Sequence, residues 1–151
     1  MLSQLVLPIH VPRAHRDPIT SASAALAVFS LAITRPLRPE TIVLMMRKDH
    51  RGIGLFALDT GESLAILIDD VISRCISNES AQAVVIASVR PQFSSQFAGD
   101  NQEDRAAEFA SARKSCHRAD IQLVDWFIVA RAGIRCPRSE AALPSLWPSQ
   151  Y

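Results

Sequence analysis

The sequence predicts a single α/β domain in which a mixed β-sheet is flanked by helices. Apolar runs of strand length alternate along the chain with segments of helical period. Two of these runs are joined by a short polar turn, as in a hairpin, and the later ones are separated by helices, as in crossovers. Antiparallel and parallel pairs are therefore expected in one sheet. A chain of 151 residues with 48% hydrophobic and 21% charged residues suits one folded core.

The first half of the domain shows a helix, a hairpin and a second helix. Thr20 or Ser21 can cap an Ala-rich apolar run, which Pro36 ends. Two apolar runs, TIVLMM and IGLFAL, flank a polar turn, and Gly61 follows the second. Apolar residues then recur at helical spacing. The predicted elements are a helix over Ser23–Ile33, strands over Thr41–Met46 and Ile53–Leu58, and a helix over Ala65–Ile76.

The second half continues with crossover-like units. The wholly apolar run AVVIA predicts an interior strand, and a loop rich in Gln, Ser and Gly follows it. A helix with one apolar stripe leads to the apolar run LVDWFIV, and Gly133 turns the chain into a last short strand. The predicted elements are strands over Ala83–Ala87, Leu123–Val129 and Ile134–Cys136, and a helix over Gln102–His117. The expected organisation is a flexible Pro-rich arm over 1–18, the domain over 19–137 and an irregular tail over 138–151.

Composition limits the classes of function. The formal charge of +1, from 16 Lys and Arg against 15 Asp and Glu, argues against a strongly basic nucleic-acid binder. No apolar run approaches the roughly 20 residues that a membrane-spanning helix needs, and no basic residues precede the short apolar start, so a cytoplasmic protein without a membrane partner is expected. Three cysteines without a C-x-x-C pair argue against a disulfide framework or a Cys-rich zinc site.

Three segments carry a resemblance to a known family. The run AQAVVIASVRP over 81–91 resembles a strand of the RadC-like JAB domains, bacterial members of the JAB/MPN (JAMM) metalloprotease fold, where the strand continues into His-x-His-Pro-Ser-Gly. VLMMRKDHRGIGLFAL over 43–58 resembles the hairpin of that family. IQLVDWFIV over 121–129 is similar to its Ile-x-Leu-Leu-Asp-His-x-Ile-Val. The likeness covers about Ile19 to Pro137 and implies a single JAB/MPN-type domain with cytidine-deaminase-like layers.

The resemblance also implies where a zinc site would lie and what has replaced it. In the family, two histidines at i and i+2 and a later carboxylate bind zinc, and a Glu from the hairpin acts as general base. The histidine positions here carry Ser88 and Arg90, and the carboxylate position falls on Asp104, with Asp100 as a second choice. The general-base position falls near Phe56, and the late His is Trp126. We therefore expect vestigial site positions with no bound zinc and no catalytic residues.

Two hypotheses concern the replaced residues. Arg90 could pair with Asp104 or Asp100 and take over the role of the metal in tying the loop to the sheet, or it could point into solvent. Phe56 and Trp126 could fill the space of the lost polar groups, or they could be ordinary core. Either way, a closed pocket is expected.

The function expected from these residues is that of a non-catalytic interaction or scaffold protein, whose partner is another protein or a second copy of the chain. One alternative is a metal-dependent hydrolase with an unusual site around Asp104, Asp100 and His117. A further alternative is nucleic-acid binding, since the RadC name is associated with DNA repair. However, nothing resembling a helix-hairpin-helix segment precedes the domain, and the basic groups near Arg13, Arg38 and Arg47 are scattered.

Overall fold

In a computed structural model, which describes residues 11–92 and 102–148, the chain folds as an α/β domain. The N-cap of the first helix is Ser21, whose side chain accepts a hydrogen bond from the backbone N–H of Ala24. Every predicted helix and strand is present, with bounds that differ by a few residues. The elements are α1 Ala22–Ala32, β1 Glu40–Met46, β2 Gly52–Leu58, α2 Leu64–Ile76, β3 Ala83–Val89, α3 Gln102–Arg118, β4 Gln122–Ala130, β5 Gly133–Arg135 and α4 Pro137–Glu140.

The five strands form one mixed sheet in the order β2-β1-β3-β4-β5. β1 is antiparallel to both β2 and β3, β3 and β4 are parallel, and β5 is antiparallel to β4. The parallel pair needs a crossover connection, and α3 supplies it. The hairpin and the crossover predicted from the sequence thus lie in the same sheet.

Each face of the sheet has its own apolar core. α2 and α3 cover one face, where Val71, Phe109 and Trp126 are buried with the inward residues of the strands. α1 covers part of the other face, where Phe29 contacts Phe127 edge-on with ring centroids 6.3 Å apart. β3 is buried along its whole length because both faces are covered.

The segment after residue 136 is more ordered than the irregular tail expected from its sequence. It begins with the short helix α4 and then packs across the second face of the sheet. The anchor is Asp125 of β4, which is fully buried. Its carboxylate accepts hydrogen bonds from the indole N–H of Trp147 (2.8 Å) and the thiol of Cys136 (3.3 Å), and it pairs with Arg138 at 3.1 Å. Polar contacts to one buried carboxylate thus hold this segment against the sheet, although its sequence shows no clear helical or strand period.

The part of the N-terminal segment that the structure describes, residues 11–18, contacts the β1–β2 hairpin. The backbone N–H of His15 donates to the carbonyl of Gly52 (2.9 Å), and Pro18 forms an isolated bridge with Arg51. Residues 1–10 lie outside the described part of the chain.

Candidate functional site

A cavity of about 530 Å³ lies at the carboxyl ends of the parallel strands β3 and β4. Open α/β sheets bind ligands at this end of their parallel strands, where connections leave in different directions. The start of α2 and the first turns of α3 form the opposite wall. Four of the five vestigial positions line this cavity, namely Ser88, Arg90, Asp104 and Trp126. The sequence predicts a closed pocket at these positions, and that prediction is wrong because a cavity is present there. The lining residues in the described part of the chain are Pro39, Gly61, Ser63, Leu64, Ser88, Arg90, Pro91, Gln92, Asp104, Arg105, Glu108, Trp126 and Ile128.

Arg90 cross-links three parts of the fold at one edge of this cavity. Its Nη1 donates to the backbone carbonyls of Val89 (2.9 Å) and Glu40 (3.2 Å). Its Nη2 donates to the hydroxyl of Thr41 (3.3 Å) and to the carbonyl of Glu62. The guanidinium therefore joins the end of β3, the start of β1 and the loop before α2.

The partners of Arg90 differ from those we hypothesised. One hypothesis pairs it with Asp104 or Asp100, and the other leaves it pointing into solvent. The hydrogen bonds of its guanidinium within the described residues go instead to neutral oxygens, and Asp100 lies outside those residues. The backbone carbonyls of Glu40, Val89 and Glu62 lie where the sheet ends. The planar guanidinium has several N–H donors and hydrogen-bonds to all three at once. Arg90 ties the loop before α2 to the sheet, whereas the loop of the hypothesis follows β3 and lies largely outside the described residues.

Burial without a contacting carboxylate lowers the pKa of Arg90 below its ordinary value, and the field of Glu108 partly offsets this. The carboxylate of Glu108 is itself engaged, because it accepts a hydrogen bond from the backbone N–H of Ala65 at 2.9 Å. It therefore serves as the N-terminal cap of α2, where the side chain of the N-cap residue Ser63 makes no capping hydrogen bond. The cation in the cavity wall is balanced from a distance rather than by contact.

Ser88 and Trp126 meet across the parallel pair. The indole N–H of Trp126 donates to the hydroxyl of Ser88 at 2.9 Å, and both residues are buried. The indole also stacks on Phe109 of α3, with the rings 16° from parallel and their centroids 6.4 Å apart. Trp126 is thus both a core residue and a wall of the cavity, so the two interpretations that we weighed for it apply together.

Phe56 does not belong to this site. It lies opposite Val43 in the hairpin, half-buried against the first core, with the guanidinium of Arg74 5.8 Å from its ring centroid. It is not among the described residues that line the cavity. Of the two interpretations of Phe56, the structure favours ordinary core.

Asp104 lies in the first turn of α3, is exposed and lines the cavity. His117 lies thirteen residues further along the same helix, so a rise of about 1.5 Å per residue separates the two by roughly 20 Å. The site around Asp104 and His117 in the hydrolase alternative is therefore wrong as a geometric unit. Within 11–92 and 102–148, no group of three His, Cys, Asp or Glu side chains is placed to hold a metal ion.

The thiols are unsuited to nucleophilic chemistry. Burial raises the pKa of Cys75 to about 11, that of Cys116 to about 12 and that of Cys136 to about 11. Because the thiolate is the reactive form, these groups are inert near neutral pH. Cys116 precedes His117 in sequence, but because its pKa is raised it is not an activated nucleophile.

The basic groups noted in the sequence have acidic neighbours. Arg13 pairs with Asp17, and Arg38 with Asp59. Asp49 lies between Arg47 and Arg51, and the hydrogen bond from Arg47 is the main reason that its pKa falls to about 2. These pairs break up the field that a phosphate backbone would need.

Sequence reasoning missed Arg105 and Glu108, both in the cavity wall. Arg105 is buried although it lies in the first turn of α3. The available signal was helical spacing, because Glu108 lies four residues after Asp104 and so projects from the same side of the helix. Asp125 was noted only as part of the resemblance, and its burial on the opposite face was not foreseen.

No model of a known protein family matches the chain, and none of the curated proteins is significantly similar to it. Among the described residues, no helix combines the length and the apolar character that crossing a bilayer requires.

Proposed function

We propose that the protein is a degenerate relative of the RadC-like JAB domains and acts by binding other molecules rather than by zinc-dependent hydrolysis. The proposal begins from the residues that resemble the family, and the cavity at the carboxyl ends of β3 and β4 supports it. Positions that would have to converge on one zinc ion, namely Ser88, Arg90 and Asp104, all line one cavity. Ser88 lies in β3 and Arg90 directly after it, and the fold brings Asp104, in the first turn of α3, to the same cavity.

The observation that carries the non-catalytic part of the proposal is the side chain of Arg90. A guanidinium cannot ligate a metal ion, and its positive charge opposes a divalent cation within the same cavity. Four hydrogen bonds hold that charge in place. A serine and one exposed carboxylate remain, and zinc sites depend on imidazole and thiolate for most of their affinity. This donor set does not fit the zinc of the family.

The test is to restore the donors. The double variant Ser88→His/Arg90→His should gain one equivalent of zinc, measured by calorimetry and by metal analysis after dialysis, whereas the wild-type chain should retain none. Alternate residues of a strand project to the same side, so both imidazoles would face Asp104. The triple variant that also carries Asp104→Asn is the matched control and should lose most of the gained affinity.

Two results would contradict the proposal. Stoichiometric zinc in the wild-type protein would refute the loss of the metal site. A folded double variant, verified by circular dichroism, that binds zinc no better than the triple variant would refute the correspondence with the family. If the double variant unfolds without metal, zinc should restore its far-ultraviolet spectrum, because metal binding couples to folding.

The partner that we propose is another protein or a second copy of this chain. Exposed apolar side chains on the outer helices and the edge of the sheet, such as Ile66, Ile76 and Ile134, offer contact points. Sedimentation equilibrium over a concentration series tests self-association directly. Cytoplasmic localisation remains a prediction from the sequence.

A further inference from the structure

We propose that the cavity between β3, β4 and the start of α2 binds a small organic anion, a single carboxylate attached to an apolar body. Its volume of about 530 Å³ lies within the range of small-molecule sites. The inference stands on the cavity alone and does not need the family resemblance.

The first reason is a positive charge whose described hydrogen bonds include no anionic partner. The four terminal N–H donors of Arg90 all meet neutral oxygens, and Glu108, whose field acts on it, is already bound to the backbone of Ala65. An anion would strongly stabilise a half-buried cation whose contacts are all neutral dipoles, because electrostatic attraction is larger where water is scarce. The Nε–H of Arg90 remains for a ligand, since the described hydrogen bonds of this side chain use only its terminal nitrogens.

The second reason is a set of hydroxyl donors that line the same cavity. Ser88 is buried, and its one hydrogen bond within the described residues is the one it accepts from Trp126, so its hydroxyl proton remains to be donated. Ser63 is the N-cap of α2, and its side chain makes no capping bond. The N-terminus of this 13-residue helix adds a partial positive charge beside these donors.

The third reason is that much of the remaining cavity wall is apolar, which favours a ligand with an apolar body. The apolar lining of the cavity consists of Trp126, Ile128, Leu64 and two prolines. Asp104 and Glu108 also line the cavity and offset the charges of Arg90 and Arg105, so a monoanion suits it better than a dianion such as a phosphate monoester. A carboxylate on an aromatic or aliphatic body satisfies the donors and the apolar wall together.

The experiment titrates the intact chain with phenylacetate and follows backbone amide shifts by NMR. We expect saturable shifts at Ser63, Ser88 and Arg90, with phenylacetamide, the neutral analogue, binding at least about ten-fold more weakly because it lacks the charge. Ser63→Asp should also weaken phenylacetate binding at least about ten-fold relative to Ser63→Asn, since both residues are good N-caps and differ in charge. Ser21→Asp, the same change at the N-cap of α1, is the matched control and should leave the affinity unchanged.

Several outcomes would overturn the inference. They are the absence of saturable shifts at about 10 mM phenylacetate, equal binding of the amide, an equal effect of Ser21→Asp, and tighter binding of phenyl phosphate. The titration uses no metal, so its failure leaves the zinc experiment intact, and a failed zinc experiment leaves this one intact.

Discussion

Removing the side chain of Arg90 should destabilise the fold by about 2–3 kcal/mol, well outside the usual range of about ±0.5 kcal/mol for surface substitutions. The side chain makes four hydrogen bonds to the end of β3, the start of β1 and the loop before α2. Bonds from a charged donor contribute about 1.5–3 kcal/mol each, which sets a ceiling of roughly 6–12 kcal/mol. In Arg90→Ala, water entering from the adjoining cavity would replace some of these hydrogen bonds, and the free-energy cost of half-burying the cation would disappear. The expected loss of stability is therefore well below this ceiling.

The assay is urea unfolding of Arg90→Ala, followed by circular dichroism at constant pH. Arg90→Lys should lose about 1–2 kcal/mol, because an ammonium keeps the charge but has three donors and no planar fork. The matched control is Arg131→Ala, an exposed arginine beyond the end of β4, which should change stability by less than about 0.5 kcal/mol. A change of similar size for Arg90→Ala would refute the cross-linking role, and with it the interpretation of this residue as a substitute for the metal.

Two further predictions concern buried polar groups. Trp147→Phe should cost about 1–3 kcal/mol in the same unfolding assay, because the fully buried carboxylate of Asp125 loses its indole donor, and an unchanged midpoint would contradict the anchoring role. The raised pKa values of Cys75 and Cys116, about 11 and about 12 against an ordinary 9.0, mean that the native chain holds protons that the unfolded chain releases. Stability should therefore fall as the pH rises from about 9 towards 12, and a Cys75→Ala/Cys116→Ala variant should show a smaller decline.

The fold was predictable because its signals are local. Apolar runs with β-branched residues fixed the strands, and Ser21 with Pro36 bounded α1. The extension of β3 to Val89 was missed because Ser88 interrupts the apolar run, although the hydroxyl finds a partner in Trp126.

The site was predictable only in part. The resemblance placed Ser88, Arg90, Asp104 and Trp126 near one another, and the structure brings them to one cavity. It could not give the partners of Arg90, because backbone carbonyls at the ends of strands leave no trace in the sequence. Phe56 does not line the cavity, because its position in the strand does not say which part of the sheet its side chain covers.

The anchoring of the C-terminal segment on Asp125 has a consequence for the order in which the protein is completed. The carboxylate and the indole that covers it are separated by 22 residues. In a nascent chain that has released β4 but not Trp147, the polar side chain of Asp125 lies in the middle of an apolar surface without its indole donor, where water must satisfy it. We therefore expect the core beneath α1 and the C-terminal segment to be completed late in synthesis, after α2 and α3 on the opposite face have been made.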